Sequence, residues 1–172
     1  METYGGRKFY LLESDTCKIF IDDIAWALSN ICRFNGHCKN FYSVAEHSIM
    51  VSRYTSINNK KWGLLHDAAE AYIGDLSRPL RACFKDGVIE KIENVILEAV
   101  ANQFSLPFPI PEEVKRVDNL ILASEAKLLM VSHGNDWELE ESPDHHISNL
   151  ECWPPKEAYD RFLREASLLD LI

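Results

Sequence analysis

The chain has 172 residues, 47% of them apolar, which is enough for one domain with a full core but short for two. Its 18 basic and 27 acidic residues give a net charge of −9, which disfavours stable binding to nucleic acid or to an anionic membrane. No apolar run reaches the roughly 18 residues of a membrane-spanning helix, and no secretory signal pattern opens the chain. We therefore expect a soluble, cytoplasmic protein.

The cysteines are odd in number and form no C-x-x-C pair. This usage predicts reduced, structural thiols rather than a disulfide scaffold or a thiolate zinc site. They are Cys17, Cys32, Cys38, Cys83 and Cys152.

The first twenty residues are mixed in character. Segments 8–12 and 17–21 predict a small hairpin. From Asp22 the apolar residues recur at helical spacing, and Asp22 and Asp23 lie at the N-terminal end, where the helix dipole favours acidic side chains. A first helix is therefore expected to begin here.

The central part of the chain predicts a loop followed by two helices. Residues 33–42 have the composition of a loop with aromatic anchors. Ser43 and Glu46 match a capping box, in which each side chain satisfies a free backbone donor at a helix start. A further helix is predicted at about 60–73, ending near Gly74.

The rest of the chain continues the helical pattern. It predicts two long helices, an acidic loop rich in histidine and proline, and a last amphipathic helix, at about 87–104, 112–131, 133–155 and 156–169. The predicted class is all-α: one helical-bundle domain over 1–172, with its core at about 20–131 and a small hairpin-like segment at the N-terminus.

The predicted helix at 60–73 carries more polar groups than a core helix normally tolerates. His66, Asp67 and Glu70 are spaced three or four apart, which places them on one wall of a helix, and Asp75 follows the expected helix end. Such a dense set in an apolar run favours a metal site or an acid–base site.

Two further polar residues lie where apolar ones are expected. Asp118 falls on the buried stripe of a long helix, and a buried carboxylate is costly unless it is paired or binds a metal. His47 lies just inside the capped helix. Alone, His47 fits a satisfied core histidine, and Asp118 could pair with Arg116. Together with His66 and Asp67 they supply two imidazoles and two carboxylates, which suit a divalent cation.

The order His47, His66-Asp67, Asp118 resembles the H…HD…D signature of the HD-domain metal-dependent phosphohydrolases. The resemblance covers roughly residues 5 to 130. It is closest to the short single-domain branch, which includes bacterial 5′-deoxynucleotidases and small bacteriophage proteins of this length. The matching segments are Arg33–His37, Phe41–Ser48 and Leu65–Asp75.

This resemblance implies an all-helical hydrolase with one divalent ion per active site, which would be zinc, cobalt or manganese, with magnesium as a further option. It also implies a homo-oligomer, either a hexamer or a dimer. Within the branch the chain is most similar to phage dATP triphosphohydrolases, which convert dATP and water to deoxyadenosine and triphosphate in the host cytoplasm. A 5′-nucleotidase of deoxynucleoside monophosphates and a nucleotide-binding protein without turnover are the alternatives, and a plain helical scaffold is a fourth.

Site roles follow from the same resemblance. His47, His66, Asp67 and Asp118 would bind the metal. Glu70 or Asp75 would act as general base or orient the attacking water. Arg33 would contact phosphate; His37 would do the same or compete as a metal ligand. Further cations that could offset phosphate charge are Lys39, Arg78, Arg81 and Lys85.

Aromatic and apolar residues near these motifs are candidates for packing on a purine base, with core packing as the alternative for each. They are Ile21, Trp26, Phe34 and Pro79. An apolar wall would exclude a 2-amino group by steric clash and by leaving its donors unpaired. His133, His145 and His146 lie in or near the acidic loop, where they predict a lid or subunit contact, or else a second metal site.

Overall fold

The computed structural model describes residues 1–11, 13, 17–84 and 87–172, and over these ranges the chain is helical without β-strands. The all-α prediction is confirmed. The α-helices are α1 (Ile21–Asn30), α2 (Val44–Tyr54), α3 (Lys60–Leu65), α4 (Glu70–Ile73), α5 (Arg78–Arg81), α6 (Val88–Phe104), α7 (Glu112–Leu129) and α8 (Pro155–Leu168). Short 3-10 segments cover Arg33–Gly36 and Ile57–Asn59. None of the described helices combines the length and apolar character needed to cross a membrane.

The predicted hairpin between 8–12 and 17–21 is wrong over its described residues; Leu12 lies outside them. Lys8 instead forms an isolated antiparallel bridge with Glu2. A tight turn brings these residues together, and buried Asp23 at the start of α1 holds the turn by accepting hydrogen bonds from the Gly5 amide at 2.7 Å and the Thr3 hydroxyl at 2.8 Å. The segment therefore packs on a helix end rather than on a second strand.

Helix α2 lies at the centre of the bundle and contacts α1, α3, α7 and α8. It can be buried along most of its length because its polar residues find partners. Ser48 donates to the carbonyl of Val44 at 2.9 Å, and Ser52 donates to the carbonyl of Lys60 at 2.9 Å. His47, on this helix, is fully buried.

The predicted capping box is half present. Ser43 Oγ accepts a hydrogen bond from the Glu46 amide at 3.1 Å, as a helix N-cap should. The Glu46 carboxylate does not return to Ser43; it accepts hydrogen bonds from the amides of Cys152 and Trp153 at 2.9 and 2.8 Å. Glu46 therefore fastens the chain before α8 to the central helix.

The stretch predicted as one helix at 60–73 is divided into α3 and α4 by tight turns over 66–69. The amides of Ala68, Glu70 and Tyr72 each donate to the carbonyl three residues earlier, at 2.9–3.0 Å. Because residues three apart eclipse in such 3-10 geometry, Asp67 and Glu70 remain on the same edge of the segment.

Gly63 allows α3 to approach α2 closely. A Cβ placed there would lie 2.7 Å from Ser52 Cα and 2.9 Å from Ser52 N. Gly63 also accepts a hydrogen bond from His66 Nδ1 at 2.9 Å through its carbonyl oxygen. The spacing of the two helices and the orientation of His66 are thus set at one residue.

Replacing Gly63 with alanine is expected to destabilise the protein because the added methyl meets backbone atoms that cannot rotate away. We expect a loss of about 3 kcal/mol in the free energy of unfolding, measured by urea denaturation. Gly36→Ala is the control: nothing lies within 4 Å of a Cβ there, so only the strain at φ +77 remains, about 1 kcal/mol. A smaller loss at Gly63 than at Gly36 would contradict the close-approach explanation.

Candidate metal centre and its cavity

Four side chains from three parts of the fold meet at one point, where Asp118, His66 and Asp67 surround His47 Nε2. From α7, Asp118 Oδ1 lies 3.0 Å from this atom; from the turn after α3, His66 Nε2 lies at 3.2 Å and Asp67 Oδ2 at 3.5 Å. His66 Nε2 in turn lies 3.3 Å from Asp67 Oδ2 and 3.9 Å from Asp118 Oδ1. The predicted ligand set is therefore brought together, with ligand-type atoms facing one another.

The two imidazoles are oriented so that their free lone pairs meet. His66 Nδ1 lies 2.9 Å from the Gly63 carbonyl oxygen, and His47 Nδ1 lies 2.7 Å from Glu125 Oε1. Since both acceptors require an N–H on Nδ1, the Nε2 atom of each imidazole in its neutral form has a lone pair directed at the other ring and at two carboxylates. Facing lone pairs and carboxylate oxygens repel one another unless a cation lies between them, so this donor set fits a metal ion.

The electrostatics of the cluster also favour a bound positive charge. Burial would raise the pKa of Asp67, but His66, His47 and Arg33 lower it well below its usual range. Burial would also raise the pKa of Asp118, but the hydrogen bond with His47 outweighs burial, and the pKa of Asp118 is lowered. Burial and Arg33 lower the pKa of His47, yet Glu125 and Asp118 together raise it to about 9. A metal ion would replace the proton that His47 otherwise holds.

Glu125, two turns beyond Asp118 on α7, is a functional residue that the sequence reasoning missed. It is fully buried, orients His47, and lies 3.1 Å from Arg33 Nε through its second oxygen. Burial opposes the charge on Glu125, but Arg33 and His47 lower its pKa below the usual value. The available signal was a carboxylate seven residues after Asp118, on the same apolar stripe.

Glu70 and Asp75 lie beside the cluster. Glu70 is buried, its Oε2 atom has no hydrogen-bond partner, and burial together with Asp67 and Asp75 raises its pKa well above the usual value. Burial also raises the pKa of Asp75. Carboxyl groups whose pKa values are raised and that line a cavity are candidates for accepting or donating a proton in acid–base catalysis.

A cavity of about 700 Å³ opens next to these groups, within the size range of small-molecule sites. Asp67, Glu70, Asp75 and Asp118 line its acidic wall. The other lining residues are Arg33, Phe34, Leu76, Ser77, Arg78, Pro79, Arg81, Leu122, Met130, Trp137 and Leu139. One cavity therefore joins the ligand cluster, three arginines and an extended apolar surface.

The structure separates the predicted substrate-binding residues into two groups. Those that line the cavity are Arg33, Phe34, Arg78, Pro79 and Arg81. Those that do not are Ile21, Trp26, His37 and Lys39. Trp26 lines a separate cavity of about 340 Å³, where it stacks on Tyr4 at 4.2 Å, and Ile21 packs against the core. Lys85 lies outside the described residues.

The cavity arginines differ in how far their charge is already balanced. Arg33 is buried between Glu125 and Asp67, with Nη1 3.7 Å from Asp67 Oδ2. Arg81 forms an ion pair with Glu93 on α6, with Nη1 2.6 Å from Glu93 Oε2. Arg78 is exposed and donates to the neutral side chain of Asn119 at 2.5 Å, so it has the most charge to offer a ligand.

A second group of ligand-type side chains lies on the acidic loop. Atoms of Asp144, His145 and His146 come within 4.8 Å of one another, and both histidines are exposed. His133 lies elsewhere on the loop, with Nδ1 2.7 Å from the Lys127 carbonyl oxygen. This surface group is more exposed than the His47 cluster, and its His145 Nδ1 lies 3.8 Å from Asp144 Oδ1, compared with 2.7 Å between His47 Nδ1 and Glu125 Oε1.

The fold and site define an all-helical protein with a buried His/Asp cluster that could hold a metal ion. No protein-family model matches the chain. The uncharacterized protein YfdR of Escherichia coli (strain K12) is 35% identical over 164 residues, which are 95% of this chain and 91% of that protein. The chain belongs to the family of YfdR. An uncharacterized protein of Rhodobacter capsulatus is 36% identical over 121 residues, 65% of this chain and 61% of that protein.

Metal affinity is expected to rise with pH. Because the pKa of His47 is raised from 6.5 to about 9, its proton must leave before the imidazole can bind a metal. We expect the apparent affinity for Mn²⁺ to increase by up to about tenfold per pH unit from neutral pH to about pH 9, and then to level off. Calorimetric titration across this range measures it, and an affinity independent of pH would contradict the assignment.

Glu125→Gln is expected to weaken metal binding about 10- to 100-fold, because the amide supports the His47 ring less strongly than a carboxylate does. The same titration measures the change, with thermal melting as a check that the variant is folded. The matched control is Glu98→Gln, an exposed position on α6, which should bind metal like the unmodified protein. Equal affinities for the two variants would show that Glu125 does not act through His47.

Proposed function

We propose that this protein is a metal-dependent phosphohydrolase of the HD-domain type that acts on deoxynucleotides. The observation that carries the proposal is the convergence of His47, His66, Asp67 and Asp118 on one point at the wall of a nucleotide-sized cavity. Carboxyl groups that could transfer a proton and arginines that could bind phosphate line the same cavity, which supports a phosphoester hydrolase.

The four residues would hold one divalent ion, with zinc, cobalt or manganese as the first candidates and magnesium as a further one. Mixed imidazole and carboxylate donors suit these ions, and the absence of a thiolate from the cluster removes the preference for the softest metals. Such an ion would polarise the phosphate and make a bound water more acidic. Glu125 and the Gly63 carbonyl keep both imidazoles in the ligating tautomer.

Glu70 is the first candidate for the group that takes a proton from the attacking water. Glu70 lies one 3-10 turn beyond Asp67, and its buried Oε2 atom has no hydrogen-bond partner. Asp75 is the alternative, or the acid that protonates the leaving oxygen. Arg33, held against Asp67, and Arg78, at the exposed side, would offset the charge of the phosphate groups.

The substrate we rank first is dATP, cleaved to deoxyadenosine and triphosphate, because of the likeness to phage enzymes with that activity. The second candidate is a deoxynucleoside monophosphate, cleaved by a 5′-nucleotidase reaction. A specific observation favours this alternative: Arg33 and Arg81 are already paired with Glu125 and Glu93, which leaves less cationic charge for a triphosphate. In either case we propose a homo-oligomer, a hexamer or a dimer.

Incubation of the purified chain with dATP and dAMP separately, in the presence of Co²⁺, Mn²⁺ or Zn²⁺, distinguishes these reactions. Intact triphosphate and deoxyadenosine from dATP are the expected products. Faster release of phosphate from dAMP would establish the nucleotidase instead. Pyrophosphate or single phosphate from dATP would overturn the triphosphohydrolase reaction, and metal-loaded protein inactive on both would overturn the proposal.

Glu70→Gln is expected to lower kcat by about 100- to 10,000-fold, the range of general acid–base catalysis, because the amide cannot accept a proton. Its metal affinity should stay unchanged, since Glu70 lies outside the ligand cluster. Asp67→Asn should lower both activity and metal affinity, and Glu98→Gln should lower neither. If Glu70→Gln keeps full activity, the base is another group, and the same change at Asp75 then tests the alternative.

A further inference from the structure

Part of the cavity lining consists of apolar side chains. Its described lining residues between 122 and 139 are all apolar: Leu122, Met130, Trp137 and Leu139. The polar lining residues come from other segments, namely Arg33, the stretch 67–81, and Asp118. The cavity lining therefore combines acidic and arginine side chains with a set of apolar side chains that offer a ligand contact area.

Helix α7 gives the spacing between these two parts. Leu122 lies one turn beyond Asp118, and Met130 directly follows the helix end, so the apolar surface begins about 6 Å and extends to about 18 Å from Asp118 along the axis. A ligand with its phosphate at the cluster would thus place its far end against this surface.

Trp137 belongs to this surface, and Phe34, which also lines the cavity, lies beside it. The rings of Phe34 and Trp137 have centroids 5.9 Å apart and planes inclined by 54°. Trp137 is partly exposed and lines the cavity from the acidic loop, whereas Phe34 adjoins Arg33 in the chain. An aromatic pair at a cavity wall, still open to solvent on part of its area, is suited to stack on a flat aromatic ligand.

Uncommon backbone conformations occur at Phe34 and at the two residues that flank Trp137. Phe34 has φ 56, and Trp137 lies between Asp136 at φ 65 and Glu138 at φ 50. Bulky residues rarely adopt the left-handed region, and such conformations persist where the surrounding structure fixes them. Near Trp137, the Glu140 carboxylate accepts a hydrogen bond from Asn119 Nδ2 at 2.8 Å, which fastens the loop to α7 next to Asp118.

We propose that Trp137, together with Phe34, forms the stacking surface for the nucleobase of the substrate. This inference rests on the proposed function, in which the substrate is a nucleotide and so carries both a phosphate and a planar aromatic base. The surface recognises the base by contact area rather than by hydrogen bonds to its edge, because no polar side chain lies among residues 122–139 of the described lining. Purines, with the larger ring system, therefore bind more tightly than pyrimidines.

Deoxyadenosine and deoxyribose are suitable probes because neither has a phosphate that the protein could hydrolyse. Calorimetric or ligand-detected NMR titration of the full chain should show that Trp137→Leu weakens deoxyadenosine binding about tenfold or more. Trp137→Phe should restore most of the affinity, since it keeps an aromatic face. Deoxyribose binding should not change in either variant, and deoxycytidine should bind the unmodified protein more weakly than deoxyadenosine.

Trp26→Leu is the matched control, because Trp26 lines the separate cavity and should leave both affinities unchanged. Unchanged deoxyadenosine binding in Trp137→Leu, equal losses for deoxyadenosine and deoxyribose, or no deoxyadenosine binding by the unmodified protein would each overturn the proposal. The failure of this proposal is distinguishable from the failure of the proposed function. Hydrolysis of dATP with a KM that Trp137→Leu does not change would contradict the stacking role alone. Deoxyadenosine binding that depends on Trp137, without any hydrolysis, would contradict the catalytic function alone.

Discussion

The meeting of His47 Nε2 with His66, Asp67 and Asp118 is the constraint on which the rest of the structure depends. These atoms approach within 3.0–3.5 Å of His47 Nε2 only because α2 is buried in the middle of the bundle and α3 packs against it without a side chain at Gly63. A shift of α2 by one residue would turn His47 away from its partners. The polar residues of α2 form hydrogen bonds within the helix or with neighbouring elements, so their burial leaves no unpaired polar group in this fully described helix to destabilise the fold.

The buried charged side chains of the site form a continuous chain of contacts that begins and ends at the ligand cluster. The His47 ring contacts Glu125, Glu125 contacts Arg33, and Arg33 returns to Asp67. Breaking such a buried pair is strongly destabilising, whereas an apolar replacement of the whole set would often be neutral or stabilising. Stability alone does not require such a chain of charges, and the arrangement fits a site that could hold a metal ion.

How much could be predicted depended on whether a residue acts through local spacing or through tertiary contact. The helical class and the set His47, His66, Asp67 and Asp118 followed from periodicity and from polar residues on apolar stripes. Glu125 was missed because the sequence contains several carboxylates on α7, and only the tertiary structure shows which of them contacts His47. The chemistry of Trp26 makes it a candidate for packing on the base, with core packing as the alternative, and the fold places it against Tyr4 in another cavity. Trp137 lies in a loop, where no periodicity indicates which way a side chain points.

We propose that two imidazoles and two carboxylates hold one divalent ion at this site. X-ray absorption spectroscopy of the zinc-loaded chain tests this most directly, because it reports ligand type and distance together. We expect two imidazole nitrogens at about 2.0–2.1 Å, with oxygen atoms as the other ligands at similar distance. A sulfur ligand at about 2.3 Å, or no imidazole scattering at all, would contradict it.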